Sequence, residues 1–104
     1  MVNMTNDGWF GQTDGPLQHL AMYPFRAVEH RIAVVRAANT GVSALILPSG
    51  EIMGSLPLFA RGTLEGHVPL RTRQTLYTRF GDWLAYLSLA VSGLVLGAAA
   101  WRRA

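Results

Sequence analysis

Few side chains in this sequence could do chemistry. Met1–Thr5 reads as the tail of a strand, and Asn6 and Asp7 follow it into a loop, NDGWFGQTDGP, dense in Gly, Asn, Asp and Pro. Loops at strand ends in α/β proteins commonly line a site, so Asn6 and Asp7 are candidates for ligand contact. The same residues also suit an Asx turn, in which the side chain bonds its own backbone. His19, His30 and His67 show no HxxxH or HExxH spacing, so no metal site is expected. Asp14, Ser43 and Ser55 have no spacing that would build a nucleophile, base and acid relay. Glycine-rich phosphate loops are missing as well. The chain has no cysteine, and all nine basic residues are arginine. Disulfides, thiolate chemistry, lysine bases and Schiff bases are thereby excluded as intrinsic chemistry.

The elements that must position these residues fit a chain of 104 residues, room for one small domain at most. Half of the residues are hydrophobic and 14% charged, too apolar a mixture for disorder. Charge is divided unevenly: residues 1–70 carry four arginines against five acids, and residues 71–104 five arginines against one. The second group brackets an uncharged run instead of covering a folded face, which argues against nucleic acid as a partner. From Trp83 to Trp101 the sequence WLAYLSLAVSGLVLGAAAW has no charge. At about 1.5 Å per residue it spans roughly 28 Å, close to the thickness of a hydrocarbon core. Trp83, Tyr86 and Trp101 sit near its ends, where aromatic rings favour the headgroup level. A transmembrane helix is expected over 83–101, with 71–82 as connector and 102–104 as tail. Leu84, Leu87, Val91, Leu94 and Val95 fall on one arc of this helix. Ser88, Ser92, Gly93 and Gly97 lie away from it, a small-residue face suited to packing on other helices. Three arginines before the helix and two after it do not decide its orientation.

Residues 1–70 read as α/β. Pro16 opens a helical stretch that Pro24 interrupts, either as a kink or as the start of a new helix. Phe25, Val28, Ile32 and Val35 recur at helical spacing, which predicts a helix over Phe25–Ala38 stopped by Asn39-Thr40-Gly41. Arg26, Glu29, His30 and Arg36 are then read as ion-pairing residues of that helix. Val42–Leu47 suits a strand covered on both sides, Pro48-Ser49-Gly50 a turn, Glu51–Ser55 a return strand and Gly62–Val68 a further strand.

The blocks VNMTNDGWFGQTDGPLQHLAM and FRAVEHRIAVVRAANTGVSALILPSGEI, in that order and followed by one C-terminal membrane helix, resemble the C-terminal part of the apolipoprotein N-acyltransferases. These are inner-membrane enzymes of the nitrilase, or carbon–nitrogen hydrolase, superfamily. The resemblance implies an α/β fold: the C-terminal part of a nitrilase-like α-β-β-α sandwich over residues 1–70, followed by one transmembrane helix. It implies a two-step acyl transfer from a phospholipid donor, through a cysteine thioester, to the amino group of a diacylglyceryl-cysteine lipoprotein acceptor, with no cofactor. The glutamate, lysine and cysteine of that chemistry lie on segments that precede the N-D-G-W-F-G block, so no catalytic residue is expected here. The upstream part of the enzyme becomes the expected partner, along with the lipid bilayer.

The resemblance also places residues 1–80 on the periplasmic side of the bacterial inner membrane and the C-terminus in the cytoplasm. It makes Asn6, Asp7, Trp9 and Phe10 the candidates for substrate contact. Trp9 and Phe10 suit the wall of an alkyl-chain pocket, and equally ordinary core or membrane-surface packing. Met1 falls inside what should be a core strand, which favours a fragment over a non-catalytic, membrane-anchored nitrilase-like interaction module, the alternative reading.

Overall fold

A computed structural model describes residues 1–103. Four strands form one sheet in the order β1-β2-β3-β4: β1 is Val2–Asn6, β2 Val34–Asn39, β3 Ser43–Ile46 and β4 Ile52–Leu56. β1 and β2 are parallel, with Asn3 opposite Arg36 and Asn6 opposite Asn39. A parallel pair needs a crossover, and helix α1, Gly15–His30, supplies it. The two remaining pairs are antiparallel hairpins. Two helices follow the sheet: the short α2, Leu76–Phe80, and the long α3, Trp83–Arg103.

α1 begins with Pro16 in its first turn and runs through Pro24 without a break. It stops at His30 because Arg31 turns left-handed, at φ 52° and ψ 39°, and its N–H bonds back to the carbonyls of Ala27 and Val28. The expected helix over Phe25–Ala38 is therefore corrected: its second half is β2, and Asn39-Thr40-Gly41 turns one strand into the next. The run Ile32-Ala33-Val34-Val35 is rich in β-branched side chains, which favour a strand. Burial in β2 then alternates, with Val34 and Arg36 inward. The expected strand over Gly62–Val68 is absent too, since residues 57–75 carry neither helix nor strand. That segment lies over the outer face of the sheet, where Leu64 approaches Gly54, and Leu45 and Met53 approach Gly66.

The core is small and sits between α1 and the sheet. Ala27, Val34, Ala44 and Ile46 are its fully buried members, flanked by Leu20 and Tyr23. This is an α layer on a single β layer, a mixed α/β arrangement. β1 forms an edge of the sheet, with Val2 and Met4 exposed on it, and Phe25 on α1 is 71% exposed. α3 has 21 residues, none buried, and is long and apolar enough to cross a membrane by length and composition. Within it the Ser88 hydroxyl donates to the Leu84 carbonyl at 2.8 Å, which satisfies that polar group inside its own helix.

Gly50 closes the β3–β4 hairpin at φ 87°, and a Cβ there would stand 3.0 Å from Val28 Cγ2 and 3.3 Å from the Pro24 carbonyl oxygen. Gly50→Ala meets both backbone strain and a crowded α1. It is expected to cost about 1–3 kcal/mol, read as a lower urea midpoint for the chain in detergent. An unchanged midpoint would show that the hairpin does not bear on α1.

Candidate functional site

The parallel pair ends at Asn6 and Asn39, and the loops that leave both strand ends meet there. Ligands of open α/β sheets bind at such carboxyl ends, so this is where geometry directs attention. Side chains alternate along a strand, which puts Asn3, Thr5 and Asp7 on the face of β1 that α1 covers. Arg36 lies on the same face of β2, and His19, Tyr23 and Ala27 recur every four residues along the facing side of α1.

These residues form one bonded group. The Arg36 and Asp7 side chains are fully buried, with Arg36 Nη2 donating to Asp7 Oδ2 at 2.7 Å. Arg36 spends its other donors on the Val42 carbonyl, from Nε at 3.1 Å, and on Asn3 Oδ1, from Nη1 at 3.3 Å. Its guanidinium lies 4.5 Å from the centre of the Tyr23 ring, a cation–π contact. Asp7 Oδ1 faces His19 Nδ1 at 2.9 Å and accepts from the Thr5 hydroxyl at 3.3 Å. We assign the imidazole proton to Nδ1, which leaves Nε2 to face the Tyr23 hydroxyl at 3.4 Å. No buried side-chain nitrogen or oxygen among the described residues lacks a partner. A Cβ on Gly41 would overlap the Asp7 carboxylate, so the turn after β2 closes directly onto the ion pair.

The sequence candidates fall into two groups around this brace. Asp7 lies inside it. Asn6 uses its side-chain oxygen locally, accepting from the Gly8 N–H at 3.0 Å in an Asx turn and from Asn39 Nδ2 at 3.3 Å. Trp9 and Phe10 belong to a single 3-10 turn, Gly8–Phe10, that the brace presents outward. Trp9 is 89% exposed, while Phe10 leans over Gly15, where a Cβ would meet its ring, and against His19. Both Asp7 oxygens are occupied, so the group holds an aromatic loop in place and offers no free base.

Arg36 is not a helix ion-pair residue, a correction that follows from its place on β2; Arg26 and Glu29 do pair, at 3.1 Å. His30 instead reaches Thr78 of α2. Among the described residues, no three histidines or acids gather as a metal-binding group. Sequence reasoning missed the Asp7–Arg36–His19 union because the residues are 29 and 17 positions apart from Arg36. Only the β1–β2 register, with Asn3 opposite Arg36, could have revealed it.

An α-helical crossover between parallel strands, with a charged brace at the strand ends beneath an aromatic loop, makes this a mixed α/β domain. The description of carbon-nitrogen hydrolases matches residues 1–77, and the chain belongs to that family. The apolipoprotein N-acyltransferase of Geobacter metallireducens is 46% identical over 103 residues, covering 99% of this chain and 20% of the relative. That of Rhodopseudomonas palustris is 46% identical over 91 residues, covering 88% and 17%. That of Thermotoga maritima is 40% identical over 92 residues, covering 88% and 18%. The chain thus spans about a fifth of the length of these relatives.

Arg36→Met would leave the Asp7 carboxylate buried and unpaired, at an expected cost of about 3–5 kcal/mol in urea unfolding. Replacing both partners, as Asp7→Leu with Arg36→Met, is expected to cost less than the single change, because no charge is then stranded. Additive losses would show that the two groups do not act as a pair.

Proposed function

We propose that this chain is part of a membrane acyltransferase that moves a fatty acyl chain from a phospholipid to the N-terminal amine of a diacylglyceryl-cysteine lipoprotein. The reading rests above all on the 46% identity to the Geobacter metallireducens enzyme over 99% of the chain. In the first step a cysteine thiolate attacks the ester carbonyl, a thioester forms and the lyso-lipid leaves. In the second, the lipoprotein amine attacks the thioester and the thiolate is released. This chain has no cysteine and no lysine, so nucleophile and charge-stabilising lysine come from the segment that precedes it in the whole enzyme. The same segment supplies the second sheet of an α-β-β-α sandwich. Val2 and Met4, apolar and exposed on the face of β1 turned away from α1, support a second layer packed on that face.

In this reading Asn6 and Asp7 position the loop, and Trp9 and Phe10 form a wall for the alkyl chain. α3 anchors the domain in the bacterial inner membrane, with residues 1–80 on the periplasmic side. A fusion of periplasm-active alkaline phosphatase to Ala104 is expected to stay inactive, and an active fusion would reverse the topology.

Alone, the chain is expected to transfer no acyl group between phospholipid and a diacylated lipopeptide, since no thiol is present to form the thioester. Substituted for the matching segment of the Geobacter metallireducens enzyme, it is expected to restore transfer, detected as the added acyl chain by mass spectrometry. Trp9→Ala in that chimera should lower kcat/KM by about tenfold, roughly 1.4 kcal/mol, without lowering its melting temperature. A chimera that folds and inserts yet does not acylate would overturn the assignment.

A further inference from the structure

Five of the nine arginines lie in residues 71–103, and Arg71 and Arg73 stand just ahead of α2. Residues 70–78 lie back against the end of α1. Arg31, Arg71 and Arg73 line one open cleft of about 540 Å³, together with Thr72 and Gln74. None of the three arginines takes part in an ion pair among the described residues, whose pairs involve Arg26, Arg36 and His19 only. Two bonds fix the wall of the cleft. Thr75 Oγ1 donates to the Glu29 carbonyl at 2.6 Å, and His30 Nδ1 meets Thr78 Oγ1 at 2.7 Å.

Immediately beyond, Leu76, Phe80 and Trp83 line an apolar cleft of about 310 Å³ at the start of α3. Along the chain Arg71 and Arg73 with their polar neighbours come first, then Leu76, Phe80 and Trp83 with Arg79 and Asp82 among them, then a membrane-length helix without charge from Trp83 to Trp101. That order follows the depth profile of one lipid leaflet, from headgroup to interface to hydrocarbon.

We propose that the cleft between the end of α1 and residues 70–75 is a docking site for the phosphate of an anionic phospholipid, whose upper chain lies on Leu76, Phe80 and Trp83. Guanidinium groups suit this ligand because their planar fork matches phosphate oxygens and stays charged at any physiological pH. Charge decides the lipid class: three unpaired cations with no acid among the lining residues favour a net-negative headgroup over a zwitterionic one. Glycine is the residue usual at the left-handed end of a helix, and an arginine held there bears backbone strain.

The same strain supplies a clean test, because Arg31→Gly removes the guanidinium and relaxes the backbone together. The full chain in uncharged detergent micelles is titrated with dihexanoyl-phosphatidylglycerol, dihexanoyl-phosphatidylcholine and inorganic phosphate, following the amide resonances of residues 70–83. Saturable shifts with the glycerol lipid are expected, about tenfold tighter than with the choline lipid and weaker as salt rises. Arg31→Gly, and Arg71→Gln with Arg73→Gln, should each weaken that binding about tenfold, with Arg31→Gly melting no lower than the parent. Equal affinity for the two lipids would overturn the proposal, as would free phosphate binding as tightly as the lipid. So would unchanged binding in both variants, or an Arg31→Gly protein that loses binding and melting temperature together, since Arg31 would then be a structural residue.

Discussion

A carboxylate and a guanidinium with no access to solvent, Asp7 and Arg36, hold the two strand ends of this fold together. Burying two charges is costly, and the cost is offset only where geometry is good and the remaining donors and acceptors are filled. Here they are filled: Arg36 reaches Val42, Asn3 and Asp7, and Asp7 takes Thr5 and His19 as well. The partners come from β1, α1 and the turn after β2, so the pair also fixes register. A one-residue slip of β1 against β2 would turn Asn3, Thr5 and Asp7 out to solvent and drive Val2 and Met4 against the guanidinium. Gly41 follows from the same constraint, because the carboxylate occupies the space a side chain would need.

The interface between α1 and the sheet consequently has two ends of different character. Toward Ala27, Val34, Ala44 and Ile46 it is dry and apolar, and small side chains let the helix approach closely. Toward His19 and Tyr23 it is polar and bonded, and there the backbone leaves the sheet as the Gly8–Phe10 turn. The apolar end supplies burial while the polar end supplies position. An exposed Trp9 on an otherwise braced loop makes sense in such a division, since its placement depends on Asp7 and Asn6 below it.

The sequence disclosed the elements whose signal is local. α3 stands out through an uncharged run, β3 through a short apolar one, and the β3–β4 turn through Pro48-Ser49-Gly50. It failed where two periodicities overlap. Phe25, Val28, Ile32 and Val35 keep helical spacing across a helix end, a left-handed Arg31 and the start of β2. In the fold Phe25 and Val28 are exposed, so their spacing never marked the face that α1 buries. The real face, Pro16, His19, Leu20, Tyr23 and Ala27, is partly polar and carries a weaker hydrophobic pattern. The brace was illegible for a related reason: its members meet only through parallel pairing, which leaves no short-range spacing to read.

α1 connects the sheet to α2 and, through it, to the long apolar α3. Its first turn lies under Phe10, which packs over Gly15, and its last turn is tied to α2 through Glu29 and His30. The helix has 16 residues and therefore a length of about 24 Å. Pro24 removes one backbone donor within this span, yet the helix stays continuous, held on one side by Gly50 and Ala27 contacts with the rest of the domain. A rod of fixed length between the aromatic loop and α2 sets their separation. The height of Trp9 relative to α2 is in this way a property of α1, and the buried ion pair matters because it fastens that rod to the sheet at the end where the loop begins.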